Sequence, residues 1–166
     1  MKRGSRGFTL IELIVVISVV AVLSALALPS YNIVLAHSNS SKCLSNLRAL
    51  GASLNLYLAD HGMTMPQMVA ARDSTAQQDP ALDTVLAPYV DNKNVFVCPA
   101  GRAIAVTTGT SYSWNNALNG QNVNSLNMFG VLNTLSSIPV FFDKSAFHQY
   151  SGSAVNMLYA DGHAQN

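Results

Sequence analysis

The sequence predicts an α+β protein in which one long N-terminal helix packs on a small antiparallel β-sheet, and three observations carry that prediction. An apolar run opens the chain, and beyond it apolar residues recur at three- and four-residue steps as far as Leu58. The second half then holds short β-prone runs separated by Gly, Asn and Ser clusters. A helical pattern followed by strands, rather than alternating with them, sets the helix on one face of a sheet. At 166 residues the chain has room for one globular domain.

The opening run, Phe8 to Leu28, contains no Lys, Arg, Asp, Asn or Gln, and only Thr9, Glu12, Ser18 and Ser24 interrupt it. As a helix it would be about 31 Å long, which matches the hydrocarbon core of a bilayer. Lys2, Arg3 and Arg6 precede it and would hold the N-terminus on the cytoplasmic side, leaving the residues after Pro29 extracytoplasmic. Membrane lipid is thus an expected partner. Pro29 marks either a kink within the helix or the end of the membrane segment.

Beyond the polar patch His37–Lys42, which reads as a solvent-facing stretch or a break, Leu44, Leu47, Leu50, Gly51, Leu54 and Leu58 line one face. Ser45, Asn46, Arg48, Ser53 and Asn55 fall between them, so the spacing predicts an amphipathic helix to about Asp60, ended by a C-capping Gly62. Asp79-Pro80 predicts the start of a short helix through Leu82, Val85 and Leu86. Strands are predicted at Asn94–Cys98, Ile104–Thr107, Tyr112–Asn115, Pro139–Phe142 and Ala154–Tyr159, with a weak helix near Leu126–Leu135 in an otherwise loop-rich stretch. The organisation expected is a leader over 1–7, an apolar helix over 8–29, its amphipathic second half over 30–61, and a globular domain over 62–166.

Glu12 is the chain's only glutamate, and it stands inside the apolar run. A carboxylate there costs a few kcal/mol on insertion and has no purpose in a plain anchor. Nor has it one in a secretory signal peptide, the reading that Ala25-Leu26-Ala27 would support as a small-x-small cleavage site. Gly7-Phe8-Thr9-Leu10-Ile11-Glu12 resembles the processing site of type IV prepilins and type II secretion pseudopilins. That resemblance implies cleavage after Gly7 by a prepilin peptidase and methylation of the new amine at Phe8. It also implies assembly, by an inner-membrane platform, into a filament of identical or related subunits, with the amine of Phe8 neutralising Glu12 of a neighbour or of its own chain. Gly7 would let the protease approach the backbone.

Several later segments are similar to a prepilin-like family named for a histidine separated by nine residues from Asp-Gly. They are Cys43–Arg48, Tyr57–Gly62, Val95–Pro99, Ser111–Asn115 and Asn156–His163. Here Ser151 occupies the histidine's place, and His148 falls three residues early. The segments imply a pilin-like subunit, and within that class they favour a secretion pseudopilin over an adhesive or motility pilus.

Cys43 and Cys98, the only two cysteines, fall in the part expected to be extracytoplasmic, where oxidation is permitted. They form either one disulfide, pinning the helix to the first predicted strand, or two buried thiols. His37, His61, His148 and His163 are too scattered for a metal-ligand spacing, and no nucleophile signature is present, so the chain does not read as an enzyme. Asp143 and Asp161 are candidate calcium ligands by their oxygen chemistry, although Asp161-Gly162 also reads as a tight turn. Trp114, Tyr112 and Tyr159 read as core or strand-pair aromatics.

Net charge is +1, and removing three of the nine Lys and Arg with the leader leaves six against eight acids. Nothing in that balance points to nucleic acid. The sequence therefore reads as a structural subunit of a type IV pilus-like filament or secretion pseudopilus. A secreted soluble binding domain released by ordinary signal peptidase is the alternative.

Overall fold

The computed structural model describes residues 7–128, 130, 134–149 and 152–166, and within 26–30 the backbone only. Two compact units divide the chain, residues 1–35 and 36–166. A single helix, α1 (Leu10–Asp60), supplies most of the first and enters the second. Its assignment is continuous through Pro29, whose side chain, and with it the expected kink, lies outside the described residues.

In the first unit the side chains of α1 are exposed all round from Leu10 to Ala25. In the second unit the helix turns amphipathic, burying Ser40, Cys43, Asn46, Leu47, Leu50, Ser53, Leu54 and Leu58. The polar patch 37–42 is helical throughout. Two residues expected between the apolar positions sit instead on the buried face. Asn46 donates through Nδ2 to the carbonyl of Val97 at 2.9 Å, and Ser53 donates to the carbonyl of Leu50 at 2.8 Å, so burial leaves neither unsatisfied. The helix ends where the sequence predicts: Gly62 adopts φ 62°, and the Met63 amide donates to the carbonyl of Leu58 at 2.8 Å.

The sheet has four antiparallel strands in the order β1 (Tyr112–Trp114), β2 (Pro139–Asp143), β3 (Met157–Tyr159) and β4 (Ala164–Gln165). Its register sets Trp114 opposite Phe141 and Phe141 opposite Leu158. Those three side chains, with Tyr112, Val140 and the helix leucines, form one buried cluster. A Leu side chain fully buried there contributes about 2 kcal/mol. Gly51 lets β3 approach α1, since a Cβ on it would stand 2.9 Å from Cδ2 of Leu158. The turn predicted at Asp161-Gly162 joins β3 to β4, with Gly162 at φ 88°, and β4 itself is one strand more than the sequence suggests.

Two predicted strands are helical. Lys93–Phe96 forms a 3-10 turn capped by the Asn92 side chain, and Ile104–Thr107 lies in α3 (Arg102–Thr108). Val106 is 76 % exposed, so its β-branched side chain gains no core to reward extension, and Gly109 at φ 89° caps the helix. The short helix α2 (Leu82–Val85) begins two residues later than Asp79-Pro80 suggests. The Pro80 carbonyl is taken by the Val69 amide, and the Thr84 hydroxyl accepts from the Ala81 amide, which makes Ala81 the cap. The expected helix near 126–135 does not form over Leu126–Met128, where 3-10 turns at 123–125 and 135–137 flank the segment; residues 129 and 131–133 lie outside the described ones.

Candidate functional site

At the N-terminus, Thr9 stands immediately before α1 and Glu12 is its third residue, a T-x-x-E capping box. The Thr9 amide and hydroxyl donate to Oε2 of Glu12 at 2.9 and 2.6 Å, and the Glu12 amide donates back to the Thr9 hydroxyl at 3.3 Å. Among the described residues, then, Glu12 is held by Thr9. The signal for this arrangement was in the sequence, in the spacing of Thr9 and Glu12. Gly7 is exposed, and among the described residues a Cβ there meets nothing within 4 Å. Phe8 is 77 % exposed. The basic residues Lys2, Arg3 and Arg6 lie outside the described residues.

The apolar side chains that follow, among them Leu10, Ile11, Val15, Val19 and Val22, are each more than half exposed. A helix that is apolar all round needs cover from lipid or from other protein. Among the described residues no helix is long and apolar enough to cross a membrane. The expected span over 8–28 runs past the side chains described, which stop at Ala25 and resume at Tyr31.

In the second unit Cys43 and Cys98 are joined by a disulfide, with Cα atoms 5.0 Å apart and both residues fully buried. The bond ties α1 to the residue that caps the 3-10 turn Pro99–Gly101, at the end of the stretch 94–98 expected as a strand. Ser111 Oγ accepts from the Cys98 amide at 3.0 Å. His148 reaches the same place from a distant part of the chain: its Nε2 lies 3.5 Å from Sγ of Cys98 and 3.4 Å from Oδ2 of Asp143. Asp143 also accepts the Asn156 amide at 2.8 Å. Burial pushes the Asp143 carboxyl up to about 6, against the pull of that hydrogen bond, and burial pulls His148 down. No local sequence pattern signals this grouping, because Cys98 and His148 are 50 residues apart.

Asp143 and Asp161 do not share a ligand group. Asp161 is exposed and tied to His163, whose amide lowers its pKa most. Among the described residues the one set of three His, Cys, Asp or Glu ligand atoms close enough to hold a metal is Cys43, Cys98 and His148. Trp114, Tyr112 and Phe141 are buried in the core, while Tyr159 stacks on His163 with ring centroids 4.4 Å apart.

Comparison with known proteins bears on the N-terminal site first. The family described as "Prokaryotic N-terminal methylation motif" matches residues 2–28. The chain is similar to a fimbrial protein of Dichelobacter nodosus, at 30 % identity over 66 % of this chain and 70 % of the relative. It is also similar to fimbrial protein Q of Moraxella bovis, at 32 % identity over 65 % of this chain and 67 % of the relative. A type IV major fimbrial protein, FimA of Dichelobacter nodosus, is 35 % identical over 36 % of this chain and 38 % of its own length. No solved structure matches. A methylation motif ending in an exposed apolar helix, continued by fimbrial similarity far into the globular unit, shows that this chain belongs to the type IV pilin family.

Proposed function

We propose that the chain is a structural subunit of a type IV pilus filament, cleaved after Gly7, methylated at Phe8 and assembled through the first half of α1. The observation that carries this reading is the helix itself: apolar on every side, uncovered in the single chain, and bearing one carboxylate one turn from the amine that cleavage would create. Before assembly, lipid covers the helix; afterwards neighbouring subunits do. The names of the relatives support a fimbrial filament over a secretion pseudopilus. The chain performs no chemistry in this role. A prepilin peptidase processes it and a membrane assembly platform drives its addition to the filament.

In lipid, Glu12 is the costly group and the new amine is its remedy, because pairing two buried charges offsets much of the desolvation of each. The capping box leaves Oε1 of Glu12 for that amine while Oε2 holds Thr9. Mass spectrometry of the N-terminal peptide from membranes or filaments tests the reading. N-methylated Phe8 is expected, and a chain beginning at Leu28 would overturn it in favour of a secreted soluble domain. Glu12→Ala is expected to be processed normally yet to yield few filaments; normal filament yield would remove the role given to Glu12.

A further inference from the structure

The structure assigns a second state to the Cys43–Cys98 pair: as thiolates, together with His148 and Asp143, they form a four-ligand zinc site that exists only when the disulfide is absent. The inference goes beyond the filament role and does not depend on it.

Geometry carries the argument. Tetrahedral zinc with bonds of about 2.3 Å to sulphur and about 2.1 Å to nitrogen and oxygen sets ligand atoms about 3.6 Å apart for sulphur and nitrogen, and about 3.4 Å for nitrogen and oxygen. Nε2 of His148 stands 3.5 Å from Sγ of Cys98 and 3.4 Å from Oδ2 of Asp143. The ligand atoms of Cys43, Cys98 and His148 all lie within 4.8 Å of one another; Asp143 is outside that group and meets it only through His148, so its carboxylate has to move toward the sulphurs to become the fourth ligand. Two edges of the tetrahedron are therefore in place while the sulphurs are still bonded to each other. Reduction supplies the remaining freedom, by letting Cys43 and Cys98 part to the separation of about 3.8 Å that two thiolates on one zinc require.

The surroundings suit a closed, structural site. Side chains of His148 and Asp143 are fully buried, as are both cysteines, so water has no place on the metal. Oδ1 of Asp143 is buried and has no hydrogen-bond partner among the described residues, a cost that a dication beside the carboxylate would offset. Two thiolates and an imidazole select zinc over calcium or magnesium.

Every copy of the chain is synthesised as a dithiol, so the thiol state comes before the disulfide. In it, zinc takes both thiolates and releases two protons. Forming the disulfide then requires a two-electron oxidant, for which another disulfide of the thiol-exchange class suffices. A Cys thiolate attacks the external disulfide and its partner Cys resolves the mixed disulfide, so the Cys43 and Cys98 sulphurs lose two electrons and join, the external disulfide takes up those electrons and two protons to become two thiols, and Zn2+ leaves. Metal and disulfide thus exclude each other at one place in the core, and either one ties α1 to residue 98.

The test uses the full-length chain in detergent, with cobalt(II) as a spectroscopic stand-in for zinc. The chain reduced by a phosphine and freed of metal is expected to bind one cobalt per chain, with the visible bands and sulphur charge-transfer absorption of a tetrahedral thiolate site, and to give it up to zinc. The oxidised chain is expected to bind none. Zinc is also expected to slow oxidation of the dithiol at least tenfold. In the reduced chain, His148→Ala should weaken zinc binding by a hundredfold or more, and Asp143→Asn by ten- to a hundredfold. The cobalt spectrum of the unsubstituted chain reads the ligand set independently of any unfolding of H148A. The proposal falls if the reduced chain binds zinc no better than Cys43→Ser/Cys98→Ser, if the cobalt spectrum is that of an oxygen-rich octahedral ion, or if the oxidised chain binds equally well.

Discussion

Replacing Cys43 and Cys98 together by alanine should remove a large share of the stability of the unit formed by residues 36–166. The two residues are 55 apart in sequence, and closing a loop of that length removes denatured-state entropy that corresponds to about 4 kcal/mol at 25 °C. Both side chains are fully buried, so loss of the sulphurs adds a packing cost of about 1 kcal/mol. A domain of this size has about 5–15 kcal/mol in all, which makes the loss a third or more of the total. With a urea dependence of about 2 kcal/mol per molar, the unfolding midpoint should fall by about 2.5 M. Trp114 is the only tryptophan and is fully buried, so its fluorescence reports the unfolding of this unit alone. The measurement belongs in a chelator, where bound metal cannot replace the lost link. The reduced unsubstituted chain should then resemble the double variant. A midpoint shift below about 0.5 M, or under 1 kcal/mol, would refute the view that the cross-link acts by shortening the denatured chain.

Acid titration should separate Asp143 from the other carboxyls. Its pKa is raised from 3.8 to about 6 on folding, so the folded state holds a proton that the unfolded chain has lost, and stability falls as pH rises from about 4 through about 6, by up to about 3 kcal/mol. His148, whose pKa is lowered, acts in the opposite sense: its contribution is lost as pH falls from about 6.5. Asp143→Asn should abolish the fall between pH 4 and 6, and urea midpoints with an unchanged slope would refute this. Arg72→Ala should cost about 3 kcal/mol, because it strands the Asp83 carboxylate that Nη2 of Arg72 meets at 2.5 Å with both side chains largely buried. The paired change Arg72→Met/Asp83→Leu should recover most of that loss, and thermal melts that rank the two variants the other way would contradict it. Gly51→Val should cost about 1–3 kcal/mol by forcing Leu158 off α1, and a chain of undiminished stability would show that β3 has room to move.

What the sequence revealed followed from how local its signals were. The length of α1, its glycine cap, β1 and β2 each rest on patterns within a few residues, and the strands at Tyr112–Trp114 and Pro139–Asp143 have a core to face, with all three residues of the first and three of the five in the second buried. Ile104, Val106 and Thr107 misled because β-branched residues signal a strand only when something rewards extension, and Val106 points to solvent. Asn46 and Ser53 misled in the other direction, since their polarity is satisfied inside the core by carbonyls that a sequence does not show. At the N-terminal site the cap formed by Thr9 and Glu12 was legible in four residues. The meeting of His148 and Asp143 with Cys98 was not, because it depends on β2 and on the segment between β2 and β3 returning to the helix from far along the chain.

The position of the cross-link on the helix also sets where load goes. In the filament proposed above the subunit is held by its N-terminal helix, so tension would enter residues 36–166 through α1 at Ala36 and meet Cys43 two turns later. There the covalent path divides, and the short branch crosses directly to Cys98 and on to α3 and the sheet. Residues 44–97 form the slack branch. That branch contains Leu47, Leu50, Leu54 and Leu58, the helix's contribution to the core, so a pull that would otherwise peel those leucines from the sheet in sequence is carried past them by two sulphur atoms.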